Sequence, residues 1–330
     1  MLTLVTGGNG FVGRAIVAQL LARGDRVRVV GRNVYPELTA LGVTCVQADL
    51  SLPTANDTLA TALRGVEVVF HVAAKAGALG GSVADFYRSN VTATQRIVRA
   101  AEQADVPKLV YTSTPSVAIG AQDIAGVNET TPYAQRYLHP YPATKALAER
   151  FVLARTAIAT TAIRPHLVWG PGDPHFMPRF VARARAGRLF QVGVGTNMVD
   201  VTYVENAAEA HLLAADALSE GSPVRGRPYF IGQERPVNLW RFINELVTRL
   251  GCPPVGPALP VGVAMAAATV IETVHGGLHL AGEPFLNRFL ITQLVRSHWF
   301  DHSAAQRDFG YGPRISLEEG LRRTVDAKNR

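Results

Sequence analysis

Thr6-Gly7-Gly8-Asn9-Gly10-Phe11-Val12-Gly13 is the stretch that decides the fold. It follows the apolar run Leu2 to Val5. Ahead of it Phe11, Val12, Ile16, Val17, Leu20 and Leu21 recur at helical spacing and stop at Gly24, which suits the residue just past a helix end. A glycine-rich turn between a strand and a helix lets the backbone approach a pyrophosphate at the electropositive helix N-terminus. Further apolar runs at Arg26 to Val30, Val43 to Gln47, Val66 to His71, Lys108 to Thr112 and Thr160 to Arg164 alternate with amphipathic stretches. Their near-continuous apolarity is expected of parallel strands covered by helices on both faces. The predicted fold is therefore α/β, a Rossmann-type doubly wound parallel sheet over residues 1–165, with a strand near 227–231 completing it. A smaller C-terminal substrate-binding lobe is expected over 166–330, where Pro165, Gly170, Pro171, Gly172, Pro174 and Pro178 mark loops.

Composition narrows the functional classes. With 330 residues, 48% of them hydrophobic and 18% charged, the chain is not of the disordered kind. Its two cysteines, Cys45 and Cys252, supply neither a disulfide framework nor a thiolate metal cluster. The opening strand lacks a charged leader, so a cytoplasmic location is expected, with peripheral membrane association as a further option. A net charge of +7 invites a nucleic-acid partner, but the basic residues are scattered apart from Arg179, Arg183, Arg185 and Arg188, and none is expected. The apolar run Ala258 to Ile271 is shorter than the ~20 residues a spanning helix needs. His298 with His302, and His275 with His279, have ligand-like spacing but no third partner, so no metal is expected.

At the end of the second predicted strand, where an acidic residue would hold the ribose 2′-hydroxyl of NAD, the chain reads Val30-Gly31-Arg32. Gly31 leaves room and Arg32 offers a permanent planar cation to a 2′-phosphate, with Arg14 near enough to assist. NADP(H) is favoured, and NAD(H) bound through backbone contacts is the alternative. Asp49 suits either the adenine amino group or a turn before Leu50-Ser51. Tyr141-Pro142-Ala143-Thr144-Lys145 places a phenol and an ammonium on one helix face. The cation, joined by an oxidised nicotinamide, is expected to lower the phenol's pKa and make Tyr141 a proton donor. Tyr111-Thr112-Ser113-Thr114 brings hydroxyls to the carboxyl edge of the sheet, where open α/β folds bind ligands.

These segments, with His71-Val72-Ala73-Ala74 and Asn90-Val91, resemble the extended short-chain dehydrogenase/reductase family. Arg164-Pro165-His166-Leu167-Val168-Trp169-Gly170 and Val201-Thr202-Tyr203-Val204-Glu205-Asn206-Ala207 look like its 3β-hydroxysteroid dehydrogenase branch. Ala73-Ala74-Lys75-Ala76-Gly77 and Ser297-His298-Trp299-Phe300-Asp301 are similar to bacterial 2-alkyl-3-oxoalkanoate reductases of olefin synthesis.

The resemblance implies Tyr141 as general acid, Lys145 as the group that tunes it, Thr114 (or its neighbour Ser113) as the polarising hydroxyl, and Asn90 in a proton relay. It implies a cofactor site built from Gly7, Gly10, Phe11, Val12, Gly13, Arg32, Asp49, Leu50, Ala73, Ala74, Lys75, Tyr141, Lys145, Pro165 and Leu167. His71 is expected to pack beside the cofactor rather than to catalyse.

The expected activity is reduction of a ketone on a bulky apolar substrate, a 2-alkyl-3-oxoalkanoic acid. The alternatives are a sterol 3β-dehydrogenase, a nucleotide-sugar epimerase or dehydratase, and a non-catalytic NADP sensor. The epimerases usually carry an asparagine-containing loop where Pro165-His166-Leu167-Val168-Trp169 stands. A homodimer through helices including the Tyr141 helix is implied by the family. Leu286, Phe289, Leu290 and Leu294, with the Ala258 run, are either core or a hydrophobic mouth for an acyl or sterol-like substrate that touches a membrane or a pathway enzyme.

Overall fold

The computed structural model describes residues 1–76, 81–120, 122–174, 176–278, 284 and 286–328. Among them seven strands form one sheet: β1 Leu2–Thr6, β2 Arg26–Gly31, β3 Thr44–Gln47, β4 Val68–His71, β5 Lys108–Thr112, β6 Ala159–Pro165 and β7 Pro228–Ile231. All pairs are parallel, in the order β7-β6-β5-β4-β1-β2-β3, so each predicted strand is present within two residues of its expected ends. The order reverses beside β1, which opens a crevice at the carboxyl ends of β1 and β4.

Successive residues of each strand feed opposite layers. Val5, Val29, Val68 and Val110 pack under α1 (Phe11–Ala22) and, later in the chain, the helix Val204–Ala217. Leu4, Val30, Val69 and Leu109 pack under α2 (Ala93–Gln103) and α3 (Pro140–Leu153). Each fully buried Val or Leu stabilises by roughly 1.5–3 kcal/mol, and buried strand hydroxyls such as Thr160, which donates to the Val152 carbonyl (3.0 Å), are hydrogen-bonded. Gly24 ends α1 with φ +84°, a conformation that glycine adopts without strain.

The remaining chain builds a second core around Trp169, Phe180, Val201, Phe242 and Ile243. The apolar run beginning at Ala258 divides at Pro260. Gly256–Leu259 is a strand, paired with Phe190–Val192, and Val261–Gly277 is α4. Ala264 and Ala268 of α4 and Ile291 and Leu294 of α5 (Arg288–Val295) enter this core. Among the described residues no helix is long and apolar enough to cross a membrane.

His298 and His302 do not share a helix. The first lies on the strand His298–Phe300 and the second precedes the helix Ser303–Phe309. His298 bonds His166 (2.6 Å) and His302 bonds Asp200 (2.9 Å), and no metal-holding group occurs among the described residues. His279 and Gly77 lie outside the described residues.

Candidate active site

The glycine turn is built without side chains because none fits. Gly7 has φ +68°, Gly10 N–H bonds its carbonyl (2.9 Å), and a Cβ on Gly13 would lie 2.2 Å from that oxygen. A Cβ on Gly7 would meet the Ala73 backbone at 2.9 Å, so the turn and the loop after β4 share one wall. Gly10 caps α1 in an extended conformation with no side-chain hydrogen bond, which leaves the first-turn N–H groups at Phe11 and Val12 open to an anion. This cradle fits a dinucleotide pyrophosphate.

Two adjustments concern the specificity end. Arg14 is held by Asn9 and by Glu37 (2.7 Å), so it does not stand free to assist Arg32. The space above Gly31 is filled by the Tyr35 phenol, whose oxygen would be 2.6 Å from an added Cβ. The exposed Arg32 side chain makes no hydrogen bond among the described residues. Asp49 adopts the turn role, accepting from Ser51 N–H (2.9 Å) and Ser51 hydroxyl (2.7 Å). Burial pushes its carboxyl up, but those two bonds and the nearby Arg32 and Arg96 outweigh it and hold the pKa below the ordinary value. Leu50 is buried beside it and its carbonyl accepts from Arg96.

His139 opens α3. Its extended backbone precedes Pro140, and its Nδ1 accepts from Tyr141 N–H (3.1 Å). Tyr141 is half-buried, and its phenol lies close enough to the Thr114 side chain for Thr114 to draw its pKa down. The Thr114 hydroxyl bonds Ser116 Oγ (3.3 Å), while Ser113 Oγ is buried without a partner among the described residues.

Four residues on, the Lys145 ammonium donates to the Thr112 carbonyl (2.6 Å) and lies 4.1 Å from the centre of the Tyr111 ring. Burial lowers its pKa to about 7, with Glu149 opposing the fall. Tyr141 departs from expectation. Burial raises its pKa and the Thr114 side chain pulls it only partly back, so in the protein alone the phenol stays protonated.

Asn90 sits in a π-helical turn, Tyr87–Thr92. Its amide bonds Lys75 N–H (2.7 Å), the Lys75 carbonyl (3.2 Å) and the Thr144 hydroxyl (3.1 Å), clamping the loop after β4 onto α3. The structure thus ties Asn90 to the residue beside Lys145 rather than to the ammonium.

His71 is a structural tie. The Thr94 hydroxyl spends its proton on the Asn90 carbonyl (2.6 Å), so His71 Nε2–H donates to Thr94 (2.8 Å) and Nδ1 accepts from Thr6 (2.7 Å). Burial and then Lys145 lower its pKa to about 3, which keeps it neutral. Ala74 is exposed on the crevice loop, Pro165 ends β6, and Leu167 has φ +38°, an uncommon backbone setting of the sort found at functional turns.

Several neighbours of this site were not foreseen. His211 donates from Nδ1 to the Ala207 carbonyl (2.7 Å), so its Nε2 accepts from the Thr112 hydroxyl (2.8 Å) and braces the residue that holds Lys145. The His139 ring lies 5.2 Å from both Phe86 and Phe289, bringing α5 of the C-terminal lobe against the start of α3. The Lys75 ammonium stands 5.5 Å over Phe86. His139 before Pro140 carries a legible capping signal, whereas the Phe289 contact bridges distant segments.

A parallel sheet with a phosphate cradle and a Tyr-Lys pair beside it defines an NAD(P)-dependent oxidoreductase of the short-chain dehydrogenase type. Residues 4–261 match the model of the 3-beta hydroxysteroid dehydrogenase/isomerase family, and the chain belongs to that family. Within it, the chain is 44% identical to 2-alkyl-3-oxoalkanoate reductase of Stenotrophomonas maltophilia, over 98% of each chain. It is 43% identical to the protein of that name from Shewanella oneidensis, over 97% of this chain and 84% of the other. Among solved structures it resembles the UDP-glucose 4-epimerase of Thermus thermophilus complexed with NAD, with TM-score 0.73 and 26% identity over 100% of this chain and 99% of that one.

Proposed function

We propose that the protein is an NADP(H)-dependent reductase of bulky apolar ketones, with a 2-alkyl-3-oxoalkanoic acid reduced to the 3-hydroxy acid. The observation that carries the proposal is Lys145, four residues beyond Tyr141 on α3, with its ammonium held by the Thr112 carbonyl (2.6 Å) at the strand end that leads into Thr114. When bound, the reduced nicotinamide supplies hydride to the ketone carbon. Tyr141 Oη gives its proton to the ketone oxygen and Thr114 hydrogen-bonds that oxygen. The Lys145 cation offsets the negative charge left on the phenol, which solvent reprotonates. A raised phenol pKa suits this direction, because the acid form is the one reduction needs.

The relatives' printed name supports the substrate class, in which a carboxylate lies two carbons from the reacting carbonyl. Lys75, over Phe86, offers that carboxylate a cation, and Phe86, His139 and Phe289 offer the alkyl chains an apolar wall. Arg32, free of hydrogen bonds among the described residues, favours NADP(H), and Arg32→Ala should lower NADPH affinity about ten-fold or more while sparing NADH. Buried His166 and Trp169 fill the segment where epimerases carry their asparagine loop, which argues against a sugar nucleotide. A homodimer through α2 and α3 accords with Leu147, 48% exposed on α3.

The test is NADPH absorbance loss with a 2-alkyl-3-oxo acid, checked in reverse with the stable 3-hydroxy acid and NADP+. Turnover with that acid and none with a sterol or UDP-sugar is expected, and the opposite pattern would overturn the proposal.

A further inference from the structure

Gly31 ends β2 beside the glycine turn. The Gly7 N–H donates to the Val30 carbonyl (3.1 Å), and a Cβ on Gly8 would meet Val29, which points to the same sheet face as Gly31. An acid at the end of this strand would send its carboxylate to the ribose 2′-hydroxyl of a dinucleotide. In this chain another residue takes that direction. A Cβ on Gly31 would lie 2.6 Å from the Tyr35 phenol oxygen and 2.9 Å from its Cε2, so the phenol crosses the place of the missing side chain. The backbone fixes Tyr35 in this pose. It is extended before Pro36, and its carbonyl accepts from the N–H groups of Leu38 and Thr39 (3.0 Å each) and from the Thr39 hydroxyl (3.2 Å). The ring packs on the core that holds Val29 and Leu38, while the hydroxyl has no hydrogen-bond partner among the described residues.

We propose, on the NADP(H) dependence put forward above, that Tyr35 Oη donates to the 2′-phosphate and so sets dinucleotide preference together with Arg32. A carboxylate at this strand end would accept from the ribose hydroxyls and repel a phosphate. A phenol is uncharged and donates to it. Arg32 follows Gly31 directly, is exposed, and adds a permanent cation.

The acid nearest in sequence is also answered. Glu37 is the one carboxylate between Gly31 and Val43, and Arg14 pairs with it (2.7 Å), which reduces the repulsion that a second negative group would meet. Arg14, held away from the phosphate, thereby still serves the same end of the site. Gly31 in turn is required less for room around the phosphate than for room around the phenol, since any side chain there would displace the hydroxyl.

The test is fluorescence titration of the full chain with NADPH and with NADH, in the wild type, Tyr35→Phe and Arg32→Ala. Tyr35→Phe keeps the ring and loses only the hydroxyl. Its Kd for NADPH should rise about ten-fold, as for a lost hydrogen bond to a charged group, with the Kd for NADH within about two-fold of wild type. Gly31→Ala leaves Tyr35 in the chain but sets a Cβ where the phenol oxygen stands, so it too should weaken NADPH more than NADH. A Tyr35→Phe chain that keeps the wild-type preference for NADPH, while Arg32→Ala loses it, would overturn the role of the phenol and leave NADP(H) dependence standing. Equal weakening of both dinucleotides in Tyr35→Phe would reduce Tyr35 to packing and overturn its role as well. A wild type that binds NADH as tightly as NADPH would overturn both.

Discussion

Replacing Glu149 by glutamine perturbs stability and catalysis through one carboxylate. α3 places Tyr141, Lys145 and Glu149 at successive four-residue intervals, so the buried acid underlies the catalytic pair. Glu149 is fully buried and accepts from Arg164 Nε (2.9 Å), Arg164 Nη2 (2.5 Å) and the Tyr133 hydroxyl (2.7 Å). Arg164 is itself 2% exposed, and its Nη1 already lacks a partner among the described residues. Glutamine keeps the shape but removes the charge and turns one acceptor into a donor facing donors.

Leaving a buried guanidinium uncompensated costs about 3–5 kcal/mol. At about 2–4 °C per kcal/mol for a chain of this order of size, Tm falls by roughly 6–20 °C. Glu149 also opposes the fall of the Lys145 pKa, so its loss carries that pKa below about 7 and depletes the Lys145 cation at neutral pH. Calorimetric melting of Glu149→Gln should show the loss, and the folded variant should regain activity as pH is lowered. A paired Glu149→Met, Arg164→Met variant should recover much of the stability, because it removes both charges. Unchanged melting in Glu149→Gln would refute the reasoning.

Two further outcomes follow from the cradle and the ammonium. Gly13→Ala sets a Cβ against the Gly7 carbonyl at 2.2 Å, so the turn must open. Dinucleotide affinity, measured by fluorescence titration, should fall at least about thirty-fold, the equivalent of ~2 kcal/mol, and wild-type affinity would contradict the cradle. Lys145 has a pKa lowered to about 7, so its charge is lost as pH rises through that value. The wild-type kcat/KM for reduction should decline above about pH 7, and in Lys145→Arg, which stays cationic, that limb should move to alkaline pH even if activity is lower overall. A limb that does not move would remove Lys145 as its source.

Local chemistry was legible wherever one residue type answers one local demand. The strands could be read because burial on both faces leaves Val29-Val30 and Val68-Val69 no polar alternate, and the turn because only glycine fits at Gly7 and Gly13. The sheet edge offered a run of hydroxyls from Thr112 to Thr114, and only the family resemblance singled out Thr114.

What escaped depends on distant segments. Nothing near Arg14 announces Glu37, 23 residues on, and even Tyr35, four residues beyond Gly31, fills the space above it only because the chain turns back there. The upward shift of Tyr141 comes from burial, whereas the expected lowering rested on the Lys145 cation and an oxidised nicotinamide. Phe289 reaches His139 across the lobe boundary, and His298 reaches His166 instead of His302 because His298 lies on a strand that ends at Phe300, before His302.

The central claim is that Tyr141 Oη delivers the proton that completes ketone reduction. Single-turnover oxidation of NADPH by Tyr141→Phe, mixed with a 2-alkyl-3-oxo acid and followed at the nicotinamide absorbance, tests it most directly. The account predicts NADPH affinity within about three-fold of wild type and a hydride-transfer rate lower by about a thousand-fold or more. A phenylalanine variant that transfers hydride at the wild-type rate would contradict it.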